Sequence, residues 1–294
     1  VSAHTTTTSP ADVAALLVEA LPYIRRFSGK IVVVKYGGNA LAGAPDDAEA
    51  ALASFAEDVV LVQSVGMLPV VVHGGGPQIG ALMNRLGMVA EFRDGLRVTD
   101  ADTLDIARMV LVGKVNSDIV SAINVHGPLA VGLSGEDANL ITAGQRDEAL
   151  GYVGDVVEVD PILLSRLLAQ GLIPVVATIG ADEDGQAYNI NADTVAGAIA
   201  EALGAEKLVF LTDVAGLRTV ADDPDSLLRT ATAVALDDLV ASGGAAGGMV
   251  PKVEACAQAV RRGVVRAHIL DGRVPHALLL ELFTDGGVGT MVEP

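Results

Sequence analysis

Six short, largely apolar runs, many of their residues β-branched, punctuate the chain at 31–34, 69–72, 129–133, 173–177, 208–211 and 267–270. A strand with one face in water alternates apolar and polar residues. An unbroken apolar run fits a strand covered on both faces, as in a parallel sheet. Between the runs the apolar positions recur every three or four residues, the period of a helix, at 46–65, 77–86, 101–123, 161–170, 192–203 and 251–262. Strands alternating with helices predict an α/β fold: a three-layer αβα sandwich around a mostly parallel, open sheet with right-handed crossovers. Segment 144–159 breaks the pattern. Tyr152, Val153, Val156, Val157 and Val159 stand there among polar residues and glycines, which predicts an antiparallel hairpin on or near the sheet.

A Thr-rich tail and an amphipathic helix at about 11–27 precede the first run. Pro22 lies inside that helix, and its missing N–H predicts a kink. A soft boundary falls near residue 200 without a flexible linker, so two lobes, 29–200 and 201–294, are expected to share one continuous sheet. With no Trp and only 3% aromatic residues, the core must be built from Val, Leu, Ile and Ala. The single Cys256 excludes an intrachain disulfide, and nothing around it has metal-ligand spacing. The longest stretch without Asp, Glu, Lys or Arg, 59–84, is broken by Gln63, Pro69, a glycine triplet and Pro77, so no membrane span is expected. No signal peptide is visible in the first ten residues, and a cytoplasmic location is the expectation.

Thirty-seven acidic residues against 19 basic ones give a net charge of −18, which argues against nucleic-acid partners and anionic membrane surfaces. Any anionic ligand must then meet positive charge that is supplied locally. The chain has five lysines, Lys30, Lys35, Lys114, Lys207 and Lys252, and two of them sit on glycine-rich turns. Lys35 closes the first apolar run and leads into Gly37-Gly38, whose backbone N–H groups can face an anion. Lys252 follows the glycine-rich stretch 243–248 and Met249 at a helix start, the layout of a clamp that closes over phosphate. A third turn, His73-Gly74-Gly75-Gly76-Pro77, combines close backbone approach with a helix N-terminus. His73 alone suits a structural role.

Two further segments carry polar side chains. In Asn189-Ile190-Asn191-Ala192-Asp193 one residue is expected to cap the following helix, and three polar groups in five residues exceed what a cap needs. Arg97 precedes a helix capped by Thr99 or Asp100, and its fork-shaped guanidinium suits a carboxylate. A histidine followed by three glycines also occurs in hydrolase oxyanion holes, but the required G-x-S-x-G is missing: Gly132-Leu133-Ser134-Gly135-Glu136 lacks the final glycine. Neither a P-loop nor a dinucleotide-binding G-x-G-x-x-G is present. Anion nests, two lysines and an aspartate able to orient them, without an evident base or nucleophile, suit phosphoryl transfer.

Together VVVKYGGNA, HGGGPQI, GLRVT, NINAD, LTDVAG, GGMVPK and FTDGGVGTM, in this order across residues 29–294, resemble the amino-acid kinase family. The resemblance implies an N-lobe for the amino acid and a C-lobe for ATP. It implies that Lys35 and Lys252 neutralise the transferring phosphoryl group and that Asp193 orients them. Gly37, Gly38, Gly74 and Gly75 would cradle the phosphoryl group and the acceptor carboxylate, while Arg97 and Asn189 would hold the substrate's α-carboxylate. Thr212, Asp213, Gly247 and Met249 would line the nucleotide site, with Mg2+ carried on the phosphates rather than by protein ligands. The members it matches best phosphorylate the γ-carboxylate of N-acetyl-L-glutamate in arginine biosynthesis. Glutamate 5-kinase, aspartokinase or carbamate kinase activity, or a non-catalytic sensor on the same fold, are the alternatives. Retention of both lysines weighs against the sensor. The N-terminal segment 1–28 resembles the oligomerisation helix of hexameric, arginine-inhibited members, trimers of dimers. That likeness places the L-arginine effector at Tyr23, Lys207, His268, Glu281 and Gly287.

Overall fold

A computed structural model of the chain describes residues 9–37, 45–93, 95–219, 223–244, 249–284 and 287–294. The first half runs α1 (Pro10–Phe27), β1 (Ile31–Tyr36), α2 (Pro45–Ser64), β2 (Leu68–His73), α3 (Gly76–Arg85), β3 (Phe92–Arg93) and β4 (Leu96–Arg97). A long helix follows, made of α4 (Ala101–Arg108), a π-helical segment (Met109–Val115) and α5 (Asn116–Asn124). Next come β5 (Ala130–Ser134), β6 (Ile141–Gln145), β7 (Val153–Val159), α6 (Ile162–Ala169), β8 (Ile173–Ala177), β9 (Ile179–Ala181) and β10 (Ala187–Ile190). The remainder is α7 (Ala192–Ala202), β11 (Lys207–Thr212), β12 (Thr230–Thr232), α8 (Ala233–Ala241), α9 (Met249–Arg261), β13 (Arg266–Asp271), α10 (Ala277–Phe283) and β14 (Thr290–Glu293).

All six apolar runs are strands of one eight-stranded sheet, in the order β12-β14-β13-β11-β1-β2-β8-β5. Neighbours are parallel except β13 and β14. The β1–β11 pairing joins the strands before residue 200 to those after it. The period of two sorts β1 between the layers. Val32, Val34 and Tyr36 join the core under α2, the long helix and α10, while Val33 joins the core under α6 to α9. Lys35, two residues after Val33, therefore faces the α7 and α9 side. Tyr36 stacks on Phe55 of α2 with ring centroids 4.1 Å apart. Cys256 is buried in α9, where burial pushes its thiol up.

The expected hairpin forms, with β6 and β7 antiparallel, but it does not lie on the main sheet. It closes a four-stranded barrel with β9 and β10. Alternation with polar residues suits a barrel wall that has one dry face, and Gly154 and Gly180 lie where side chains of the barrel crowd in. Among the described residues no helix is long and apolar enough to cross a membrane.

Candidate active site

Parallel strands bring their carboxyl ends to one edge, and here the ends of β1, β2 and β11 meet the first turns of α7 and α9. Asn191 is the residue that caps α7, its Oδ1 accepting from the N–H groups of Asp193 at 2.8 Å and Thr194 at 3.4 Å. Asp193 is thus released from capping. Its Oδ1 lies 2.8 Å from Lys35 Nζ and its Oδ2 accepts from Lys252 Nζ at 2.9 Å. Lys35, Asp193 and Lys252 are 8%, 6% and 7% exposed. Two ammonium groups against one carboxylate leave a buried net positive charge in a protein at −18.

The electrostatics follow from that burial. Desolvation alone would raise Asp193, but the two ammonium groups outweigh it and keep the carboxylate ionised, below its ordinary value. Lys35 is pushed down, by burial first and by the neighbouring Lys252 ammonium as well, with Asp193 and Asp213 opposing. A cation destabilised in this way gains most when an anion arrives.

The glycine turns adjoin the triad. Gly37 N–H donates to Leu211 O at 3.2 Å, tying the turn after β1 to the end of β11, where Thr212 Oγ1 donates to Asp213 Oδ1 at 3.1 Å. Gly74 N–H donates to Tyr36 O at 3.3 Å, and Gly74 lies against Ala192, the residue before Asp193. Arg97 on β4 donates to Gly76 O at 3.0 Å, and its guanidinium stacks 4.7 Å from the Phe92 ring centroid. Asn189 sits on β10, two residues before the α7 cap, and its backbone N–H donates to Tyr152 O. Met249 opens α9, three residues before Lys252. Gly38 and Gly247 lie outside the described residues. A cavity of about 1090 Å³ lies beside this cluster, reaching Asn191, Thr194, Val250 and Pro251 but none of the three charges. Size therefore does not single out the site here; the converging charges do.

Asn116, on the π side of the long helix, was not singled out by the sequence. It is buried beneath the His73 turn, with Nδ2 3.1 Å from His73 Nε2. A lone amide inside an apolar helical pattern was the available signal.

A second cluster occupies the opposite edge of the sheet, at the start of β11. Lys207 Nζ donates to His268 Nε2 at 3.3 Å, and His268 Nδ1 donates to Glu281 Oε1 at 2.7 Å. Burial pushes Lys207 down to about 8 and lowers His268, leaving the imidazole neutral. Burial would raise Glu281, but hydrogen bonds from His268 and the Val288 N–H, with the nearby Lys207 ammonium, hold it at about 2. Tyr23, Lys207, His268, Glu281 and Gly287 all line one cavity of about 270 Å³, together with Arg229 and Arg266.

The sequence profile described as the amino acid kinase family matches residues 30–271. The acetylglutamate kinase of Symbiobacterium thermophilum is 56% identical over 290 residues, 96% of this chain and 97% of that protein. Among solved structures, the N-acetylglutamate synthase of Neisseria gonorrhoeae with coenzyme A and N-acetyl-glutamate matches with a TM-score of 0.83 at 29% identity, covering 96% of this chain. The chain spans 63% of that synthase's length. The same synthase with coenzyme A and L-arginine matches with a TM-score of 0.79 at 29% identity over 95% of this chain and 65% of the synthase.

Proposed function

The chain belongs to the amino acid kinase family, and from that membership we propose that it transfers the γ-phosphoryl group of ATP to the γ-carboxylate of N-acetyl-L-glutamate. The products are N-acetyl-L-glutamyl 5-phosphate and ADP. The observation that carries the reading is the buried Lys35–Asp193–Lys252 triad beneath glycine turns, held by strand and helix ends that are distant in sequence. In this reading residues 29–200 bind the amino acid and 201–294 bind ATP.

The acceptor carboxylate is ionised at neutral pH, so no general base is needed. Its oxygen forms the new bond to phosphorus as the bond to the ADP oxygen breaks. Charge spreads over the transferring oxygens, and Lys35 and Lys252 neutralise it from positions that Asp193 fixes in advance. Gly75 offers its backbone N–H to the same oxygens, whereas the Gly37 and Gly74 N–H groups expected to share that task are already bonded to Leu211 O and Tyr36 O and brace the turns instead. Arg97 and Asn189 orient the α-carboxylate. Lysines and backbone donors are anion ligands, which fits Mg2+ arriving on the nucleotide's phosphates, where it screens their charge. Thr212, Asp213 and Met249 stand at the strand and helix ends that would line the nucleotide.

A coupled ADP-release assay comparing N-acetylglutamate, glutamate and aspartate tests the proposal. Turnover with the N-acetylated substrate alone is expected; preference for a free amino acid would move the chain to another activity of the family. Arg97→Lys keeps the charge but loses the fork, so KM for N-acetylglutamate should rise about tenfold while KM for ATP stays unchanged. An unchanged acceptor KM would remove Arg97 from the site.

L-Arginine is proposed as a feedback inhibitor at the second cluster. Glu281 suits its cationic groups, and Arg229 and Arg266 suit its carboxylate. The L-arginine complex of the related synthase adds support. The proposed assembly is a hexamer, a trimer of dimers. Helix α1 exposes Val13, Leu16, Leu17 and Val18, an apolar face suited to another copy of the chain. Glu281→Gln should raise the arginine concentration for half-inhibition at least about tenfold and leave uninhibited turnover unchanged. Retained sensitivity would place the effector elsewhere.

A further inference from the structure

The long helix changes pitch where it passes the His73 turn. Its buried residues Ala107, Leu111, Val115, Ile119 and Ile123 recur every four positions. At about 100° per residue an α-helix would carry the last of them roughly 160° from the first. The π-helical segment Met109–Val115 widens the turn, with Asn116 N–H donating to Leu111 O, and keeps them on one face. The same segment presses Leu111 and Val115 onto Gly75. A Cβ there would lie 2.7 Å from Leu111 Cδ2 and 3.3 Å from Val115 Cγ2, so the turn is packed tightly on the segment.

The wider turn also aims Asn116 into the sheet. Its Nδ2 donates one hydrogen to Val175 O at 2.9 Å; the other, shared with Leu133 O at 3.3 Å, goes to His73 Nε2 at 3.1 Å. Two backbone carbonyls as neighbours identify this atom as the amide nitrogen. Gly132 makes room, because a Cβ there would overlap Asn116 Oδ1.

A group that can only donate makes His73 Nε2 the acceptor and leaves the imidazole proton on Nδ1. That proton is donated to Gly74 O at 3.1 Å. Burial pushes His73 down to about 4, so it is neutral at neutral pH. In a planar trans peptide the Gly74 carbonyl and the Gly75 N–H point in opposite directions. Anchoring the carbonyl on the buried imidazole therefore turns the Gly75 N–H outward. We propose that Asn116 is a positioning residue: by fixing the His73 tautomer it sets the Gly74–Gly75 peptide so that Gly75 N–H donates to the acyl acceptor. This inference rests on the reading of Gly74–Gly75 as the acceptor's cradle.

Asn116→Asp tests it. An aspartate oxygen in place of Nδ2 can accept from the ring, drawing the imidazole proton to Nε2 and leaving a bare Nδ1 lone pair against Gly74 O. The expected result is a rise of about tenfold in KM for N-acetylglutamate with KM for ATP unchanged, because one backbone donor is misaligned. Nitrogen NMR should show His73 protonated on Nδ1 in the wild type and on Nε2 in the variant. The wild type supplies a second measurement that needs no variant: the Gly75 amide resonance should shift downfield on addition of N-acetylglutamate. Wild-type His73 protonated on Nε2, an unmoved Gly75 amide, or an inverted tautomer with unchanged acceptor KM would each overturn the inference. A wild type that phosphorylates no acyl acceptor would instead overturn the proposed function, whatever tautomer His73 holds.

Discussion

Lys252→Met lowers kcat about a thousandfold, the effect expected when one of two groups stabilising transition-state charge is removed from a buried site. Methionine keeps the aliphatic stem of a residue whose ammonium lies 5.8 Å from the Phe210 ring centroid, so packing is largely retained. What disappears is the surplus positive charge: Lys35 and Asp193 remain as a neutral pair. Lys35 also loses the like charge that helped push it down, so its own ammonium becomes easier to keep. The variant should therefore fold as well as the wild type and bind substrates with far smaller losses than those in kcat. Pre-steady-state measurement of the chemical step, beside a thermal melt, checks both statements. A Lys252→Met enzyme with wild-type kcat would remove this residue from the chemistry.

Asp193→Asn strikes stability and catalysis together. It strands two buried ammonium groups, and removing one partner from a buried ion pair costs about 3–5 kcal/mol. Activity should fall at least about a hundredfold, because the lysines lose the group that aims them. The pH profile gives the sharper signature. Asp193 is the largest influence raising Lys35 against burial. Without it the lysine pKa falls further, and the charged form persists only below that lower value. Residual activity in Asp193→Asn should therefore survive toward acid pH and fall away as pH rises, at a lower pH than any such decline in the wild type. Identical profiles would mean that Asp193 does not tune the lysines.

The strands of the main sheet that lie between two helical layers were legible because burial on both faces leaves no choice but apolar side chains. Strands β12 and β14 were not, since Thr230-Ala231-Thr232 and Thr290–Glu293 are short and alternate like many loop segments. Helices α8 and α10 escaped for a related reason: each is brief, and its helical period has too few turns to stand out. The barrel hairpin was visible as a hairpin but not as part of a barrel, because closure depends on β9 and β10 meeting it from later in the chain.

The site divides in the same way. Lys35 and Lys252 announce themselves by rarity and by the glycines beside them. On spacing alone Asp193 was one of three polar residues in a turn, and only the family resemblance set it against the lysines. The structure assigns the cap to Asn191 and the lysines to Asp193 by geometry that spacing does not encode. Asn116 is harder still. Its role depends on a change of helical pitch and on a glycine in a neighbouring strand, neither of which leaves a local motif.

The most direct test follows the oxygen that attacks. With N-acetylglutamate carrying isotopically labelled γ-carboxylate oxygens, phosphorus NMR of the turnover mixture should show an acyl phosphate whose bridging oxygen bears the label. Its formation should collapse in Lys252→Met. Label absent from the bridge, or ATP consumed at the same rate without the acceptor, would contradict carboxylate attack at the Lys35–Asp193–Lys252 centre.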